Sequence, residues 1–375
     1  MLIDEARDLA RTVLVSEQDK LDSFAAAPLP VYSQLQERGL HNWWLGADGL
    51  SLADSVEIVS ELSYGDAGVA FTSFISILGT TMVSLYGSPE LREKFLAPLK
   101  DRGGFCATLG SEQAAGSELG KITTQIRRDG GELVLSGEKF FATNAEFADF
   151  LVIVGRTEDE YLAVVVPRHT PGVQISKRWE MNGLRASGTY EVRLDNVRVP
   201  ASHALEGSGL RLLEVGLNAS RILIATTAIG IARRVRDLCM EYAETKPLQD
   251  AMLVDNAVFA GKVGRMEMQI EVMRNQCLAA AREFDAILAA PTAAEDFFRA
   301  GTLRSAVAAK LFCGRTGWDI ATEGTEMFGG LGYTTELPIM KLLRDVRYVS
   351  IVEGGDAVLH ELLFNRFVIP ENKRG

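Results

Sequence analysis

The sequence predicts an α+β chain in three consecutive parts: an N-terminal helical domain, a central antiparallel β-barrel domain and a C-terminal four-helix bundle. Three observations predict this. Apolar residues recur at helical spacing from the start to about residue 104. Between about 105 and 200 the pattern becomes strand–turn–strand, with no helical segment between the runs. From about 208 helical recurrence returns in four segments. The expected domain boundaries are 1–104, 105–207 and 208–375.

The first part is carried by "LADSVEIVSELSYGDAGVAFTSFISILGTTMVSLYG", a long apolar stretch with a break at Gly65-Asp66. Ser88 then fits an N-cap, with Pro89 at the first helical position. Trp43 and Trp44 lie in the loop before this stretch and read as core anchors rather than ligand contacts. In the second part, "KITTQIRRDGGELVLSGEKFFATN" is two strand-like runs around Asp129-Gly130-Gly131, a hairpin signal. "DFLVIVGRTEDEYLAVVVP" repeats the arrangement around a charged turn, and "YEVRLDNVRVP" closes the region.

The third part opens with one long helix, "GLRLLEVGLNASRILIATTAIGIARRVRDLCMEYAE". A second is expected from about 255 to 289, with Val258, Val263, Met266, Ile270, Met273 and Cys277 on one stripe. Pro291 breaks it. Thr292-Ala293-Ala294-Glu295 has the form of a capping box and predicts the start of a third helix. That helix is expected to stop at Phe328-Gly329-Gly330, and a fourth to cover about 355–367.

Composition narrows the function. The 375 residues are 47% hydrophobic, enough to bury a substantial core. A net charge of −11 argues against nucleic acid as a partner. The local cluster Arg233-Arg234-Val235-Arg236 reads as a solvated helix face or as a patch for an anionic ligand or acidic carrier. The four cysteines are scattered without metal spacing, which fits a reducing compartment. The N-terminus lacks a signal-peptide pattern, and apolar runs such as Tyr161–Val166 are too short to span a bilayer. The expectation is a cytoplasmic protein with no membrane span.

Three stretches carry chemistry. "GSEQAAGSELG", residues 110–120, offers small residues and the hydroxyls of Ser111 and Ser117. It fits a pyrophosphate cradle and a flexible surface loop equally well. "GEKFFATNAEFAD" puts Phe140, Phe141 and Thr143 at a strand end, either as core aromatics or as a wall beside a flat cofactor. "EMFGGLGYTTELPIMKLLRDVRYVSIVEGG" has a glycine-rich helix end, an Arg344-Asp345 pair, and then Glu353 before Gly354-Gly355. Read alone, Glu353 suits a helix-start carboxylate.

Together these stretches resemble the acyl-CoA dehydrogenase family across nearly the whole chain. "SEQAAGSE" is similar to that family's "TEPGAGSD", and "SGEKFFATN" to its "NGQKxWITN". "EMFGGLGY…RDVRYVSIVEGG" is similar to "QxxGGxGY…RDxxxxxIYEGT", and "MNGLRASGTYEVRLDNVRVP" to "GLRxSxTxxxxFxDVxVP".

The resemblance implies FAD as cofactor and a flavin-dependent α,β-dehydrogenation of an acyl thioester. It assigns Glu353 to the base that removes the α-proton while flavin N5 accepts the β-hydride, and Arg221 to the active site's helical wall. A carboxylate in a dry pocket, its pKa raised by desolvation, suits that task. The thioester carbonyl would be held by the Glu353 backbone N–H and a flavin ribityl hydroxyl. Ser111, Gly116 and Ser117 match flavin and pyrophosphate contacts. Phe141 stands where a tryptophan usually flanks the ring, and Thr143 where a hydroxyl reaches it. Gly329 and Gly330 match the pair approaching FAD in a neighbouring subunit, which implies a homodimer or homotetramer.

The chain also departs from the family pattern. Lys246 and Gln249 stand where the family has an arginine and a phenylalanine that reach the neighbour's FAD; Lys246 is expected to pair with a cofactor phosphate as a point charge, without the arginine fork. Gly355 replaces a threonine, and Glu326 a glutamine. Ser220 occupies the position where some members carry the base, so the base here must be Glu353 or absent. The substrate is expected to be an acyl-CoA, with an acyl-carrier-protein thioester as the alternative tether. The electron acceptor is an electron-transfer flavoprotein or oxygen. A flavin oxidase on this fold and a non-catalytic assembly protein are the competing readings.

Overall fold

In the computed structural model, which describes residues 2–23, 29–46, 48–116 and 118–370, the first part is a set of helices. They are α1 (Leu2–Leu9), α2 (Gln18–Leu21), α3 (Leu29–Glu37), α4 (Leu52–Gly65), α5 (Ala67–Phe74), α6 (Ile77–Tyr86) and α7 (Pro89–Arg102). The long apolar stretch is therefore broken twice. Asp66 makes the first break: its backbone is extended and its side chain accepts the Val69 N–H at 2.8 Å, capping α5. Ser88 caps α7 and Pro89 opens it, as the sequence predicts. Trp43 is a core anchor, buried, with its indole N–H donating to Ser55 Oγ at 2.9 Å.

The second part is one seven-stranded sheet. Its strands are β1 (Cys106–Leu109), β2 (Gln125–Asp129), β3 (Glu132–Thr143), β4 (Phe150–Arg156), β5 (Tyr161–Pro167), β6 (Val173–Arg178) and β7 (Thr189–Pro200). Both expected hairpins are present, β2–β3 and β4–β5. Pairing is antiparallel except that β1 runs parallel to β4 and β2 touches β4 in parallel at one pair. Two strands escape sequence reading: β1 is only four residues long, and β6 has no fully buried residue.

The third part comprises α8 (Gly209–Thr245), α9 (Ala257–Leu288), α10 (Ala293–Ala300), α11 (Arg304–Met327), α12 (Ile339–Val346) and α13 (Asp356–Leu363). Helices α8, α9 and α11 are long; the last helix is short and runs on as a π-helical turn to Val368. Two expectations are corrected. Thr292 does not form a capping box, because its backbone is not extended and its hydroxyl bonds Asp296 at 2.6 Å. It precedes only the short α10, which ends at Gly301, and the long third helix starts anew at Arg304. Val258 is 70% exposed, so the buried α9 stripe is Met266, Ile270, Met273 and Cys277. The stretches Ala67–Tyr86 and Gly209–Thr245 are long and apolar enough to cross a membrane, but their apolar windows are 83% and 100% buried, as in core helices.

A buried ionic knot ties the three parts together. Lys341 on α12 contacts Asp345 at 2.6 Å and Asp66, the α5 cap, at 2.8 Å. Asp345 also accepts the Leu184 N–H at 2.7 Å, from the segment between β6 and β7. Arg344 pairs with Asp22 and donates to the Asn182 carbonyl at 2.6 Å. Burial raises the Asp345 carboxyl's pKa against the pull of Lys341, so the lysine is what makes two buried acids tolerable. Lys341→Met is therefore expected to cost roughly 3–5 kcal/mol and to lower the melting temperature by about 5–10 °C. A thermal melt within a degree of the parent would remove the knot from the stabilising interactions.

Candidate active site

Glu353 lies in a turn between α12 and α13 with φ of 53°, followed by Gly354 at 101°. The first is uncommon for a residue with a side chain. The second requires glycine, since a Cβ there would also stand 2.9 Å from Leu359 Cδ2. Arg221, buried on α8, holds this turn by donating from Nε and Nη2 to the Glu353 carbonyl oxygen at 3.1 and 2.9 Å. Ser220, its neighbour, donates to the carboxylate Oε2 at 2.7 Å. The other oxygen, Oε1, is buried and has no hydrogen-bond partner among the described residues. The residue keeps some exposed surface, but this oxygen does not.

Burial pushes the Glu353 carboxyl up to about 7, against the opposing pull of Arg221, Ser220 and Lys310. The arrangement is a carboxylate with one oxygen anchored and one free, able to exchange a proton near neutrality. Lys310 was not legible as a site residue. It sits on a buried α11 stripe and its Nζ donates to the Gly354 carbonyl at 2.8 Å. A lysine at a core-facing helix position was the available signal.

A second group of predicted residues meets at one end of the sheet. The Phe140 N–H donates to the Ser111 carbonyl at 2.9 Å, joining the small-residue loop to β3. The β3–β7 register shifts between Lys139 and Ala142, a bulge that turns Phe141 outward at φ 57° and 56% exposed. Its ring packs on Trp179 with centroids 5.1 Å apart. Thr143 lies within hydrogen-bonding distance of Thr189, hydroxyl to hydroxyl at 3.2 Å. Gly116 is exposed, and a Cβ there would meet nothing within 4 Å. Ser117 lies outside the described residues.

Sequence reasoning missed the anchor of this loop. Glu112 accepts from the backbone and hydroxyl groups of Thr123 and Thr124 at 2.6–3.0 Å and from Lys139 Nζ at 2.8 Å. Burial alone would raise its pKa, but these donors together hold it down to about 2. It also missed Trp179, which lies just after β6, in a segment with no chemistry-bearing motif.

Lys246, Gly329 and Gly330 form a third group at the far end of the bundle. Tyr242, one turn before Lys246, packs on Phe328, just before Gly329, with ring centroids 4.8 Å apart. All three residues are exposed, and a Cβ on either glycine would meet nothing within 4 Å. Along α8, Lys246 is ~37 Å from Arg221 at 1.5 Å per residue.

The arginine cluster is not a free basic patch. Arg233 pairs with Glu61 at 3.3 Å, Arg236 pairs with Asp237 and Glu267, and Arg234 stacks on Tyr64 with its guanidinium 5.5 Å from the ring centre.

Three family models match the chain consecutively: acyl-CoA dehydrogenase N-terminal domain over residues 1–102, middle domain over 107–197 and C-terminal domain over 207–367. The chain belongs to the acyl-CoA dehydrogenase family, FAD-dependent oxidoreductases that act on CH–CH bonds. It is 28% identical over 370 residues to the probable acyl-CoA dehydrogenase YngJ of Bacillus subtilis (strain 168), covering 94% of this chain and 93% of that protein. The structure of butyryl-CoA dehydrogenase from Megasphaera elsdenii superposes with a TM-score of 0.90 at 25% identity, covering 98% of this chain and 97% of the other. The prolyl acyl carrier protein oxidase AnaB shares the fold, with a TM-score of 0.86 at 21% identity over 96% of both chains.

FAD fits the second group. An exposed aromatic face, a strand-end hydroxyl at Thr143 and open space over Gly116 are what a flat ring and its phosphates require.

The raised carboxyl has a consequence for stability. Between its ordinary value of 4.5 and about 7, folded Glu353 holds a proton that the unfolded chain has released. Stability from this group is full below about 4.5 and falls as pH rises through about 7. Glu353→Gln removes the effect. The variant's melting temperature should gain on the parent between pH 5 and pH 8. A gap independent of pH would mean the carboxyl is not shielded.

Proposed function

We propose that this chain dehydrogenates an acyl-CoA thioester between its α and β carbons, with Glu353 removing the α-proton. The observation that carries this is the Glu353 carboxylate itself, desolvated, pinned by Ser220 on one oxygen and free on the other. A base in that state is matched to a weakly acidic C–H at neutral pH. Arg221 positions it by holding its backbone carbonyl within a turn of positive φ. Ser111, Gly116, Ser117, Phe141 and Thr143 would hold FAD. When bound, FAD supplies the hydride acceptor. The Glu353 backbone N–H is the donor assigned to the thioester carbonyl, where it would stabilise negative charge developing on oxygen.

Lys246 stands ~37 Å along α8 from Arg221, and the Tyr242–Phe328 contact keeps Gly329 and Gly330 at that same end of the bundle. Their position supports a homodimer or homotetramer in which they approach a neighbour's FAD. The internal pairing of Arg233 and Arg236 takes away the docking patch that would have favoured a carrier-protein substrate, so the CoA tether is preferred. Four buried free cysteines are consistent with a reducing, cytoplasmic setting. Electrons would leave to an electron-transfer flavoprotein.

The test is anaerobic titration of the flavin-loaded protein with a panel of acyl-CoAs. Bleaching by at least one ester is expected, with a rate that rises with pH and levels off above a midpoint near 7. Glu353→Gln should keep the flavin and slow bleaching by roughly 10²–10⁴-fold. Full activity in that variant would refute the assignment of the base. Bleaching only by acylated carrier proteins would move the substrate to that class, and rapid oxygen consumption would make the enzyme an oxidase.

A further inference from the structure

We infer that Lys310 is a positioning residue for the base: with Arg221 it clamps two successive carbonyls of the left-handed turn and keeps a positive charge beside the Glu353 carboxylate. The inference rests on reading Glu353 as the base, and its test is built to fail separately.

The side chain of Lys310 is fully buried on α11, one helical turn from the buried Val307 and Cys313. A buried ammonium normally faces a carboxylate, because an unpaired one is costly. Here its hydrogen bond goes instead to a neutral acceptor, the Gly354 carbonyl, at 2.8 Å. A leucine or methionine would fit an apolar stripe without that desolvation cost. The cost is offset by what the lysine holds. The Glu353 carbonyl is taken by Arg221 from α8, and the next carbonyl along by Lys310 from α11. These two carbonyls belong to the two residues with positive φ. Two helices therefore fix the one turn that aims the base, each through a cation.

Charged groups reach the carboxylate from several elements. Arg221 faces it from α8 and Lys310 from α11. Asp356, at the start of α13, acts on Lys310. Glu214, about two turns earlier on α8, acts on Arg221 and is itself paired with Arg366 from the terminal π-helical turn. Tyr348, from the turn preceding Glu353, shares a hydrogen bond with Thr227 at 2.8 Å. Nearest the carboxylate the sign is positive, which favours its ionised form. Burial and then Arg221 draw the Lys310 ammonium down to about 8, so it still carries its charge at neutrality.

The experiment uses the full flavin-loaded chain with Lys310→Met and Lys310→Gln. Glutamine keeps a donor for the Gly354 carbonyl without the charge, and it keeps the test open if the apolar variant does not fold. Two quantities are measured: the pH midpoint of acyl-CoA-driven bleaching, and the protonated-carboxyl infrared band of Glu353 in substrate-free protein, identified by its loss in Glu353→Gln. Both midpoints should move up by on the order of one pH unit in either variant. Lys310→Met should also lower the alkaline plateau rate by about tenfold or more, because the turn is no longer held. Lys310→Gln should stay within about threefold of the parent there. Folded, flavin-loaded variants with unmoved midpoints by both methods would overturn the inference and leave Lys310 a packing residue. If Glu353→Gln proves fully active, the base assignment fails, yet the infrared arm still decides whether Lys310 governs that carboxyl.

Discussion

One buried ammonium sets the frame of the molecule. Lys341 joins the cap of α5 to α12, and Asp345 passes the hold on to the segment entering β7. The N-terminal helices, the sheet and the bundle therefore meet at a single charged point. Everything downstream on the chain inherits that register. Eight residues after Asp345 comes Glu353, and between them Tyr348 bonds Thr227 on α8, about two turns from Arg221. The base reaches its partner because α12 has first been fastened to two other parts. Loss of any one of the three charges would leave a buried charge uncompensated, so Asp66, Lys341 and Asp345 hold together as one unit.

Two buried glutamates show how the same side chain serves opposite ends. Glu112 is surrounded by five donors, which outweigh burial and hold it ionised with a pKa of about 2. It never needs a proton, and it serves as a staple between the small-residue loop and β3. Glu353 has one side-chain donor and one bare oxygen, so burial wins and its pKa rises to about 7. Glu112 has five donors, one of them the Lys139 ammonium, against a single side-chain donor for Glu353, where desolvation outweighs the rest. That distinction favours Glu353 over Glu112 as the acid–base group, independently of any resemblance.

Much of this was legible in the sequence because it depends on local pattern. Ser88-Pro89 marked a helix start, Asp129-Gly130-Gly131 marked a hairpin, and Glu353-Gly354 marked a sharp turn. What was not legible depends on partners distant in the chain. Lys310 and Gly354 are 44 positions apart, and nothing local marks a lysine in "AVAAKLF" as a turn clamp. The bulge that exposes Phe141 is a mismatch between β3 and β7, so neither strand displays it alone. Thr292 failed as a cap for a related reason: the motif has the right residue types, but the preceding turn leaves the backbone in the wrong region.

Three departures from the family pattern, Lys246, Gln249 and Glu326, share the exposed end of the bundle with the matching pair Gly329 and Gly330, whereas Gly355 lies beside the base and Phe141 on β3. Lys246, Gln249, Glu326, Gly329 and Gly330 are all exposed there. So are Leu248, Met252, Leu331 and, at 85% exposure, Tyr333. Scattered apolar residues on a surface need no explanation, but here they flank two glycines where added side chains would meet no protein atom. The proposal that a second copy covers this end explains both the bare glycines and the apolar fringe. It also locates the chain's specialisation. A lysine without an arginine fork and an added carboxylate at Glu326 alter charge at the proposed neighbour's cofactor, while Glu353, Arg221 and Ser220 remain hydrogen-bonded as one unit. Lys246 stands ~37 Å along α8 from Arg221, so the charge changes at that end leave the hydrogen bonds of the Glu353 turn intact.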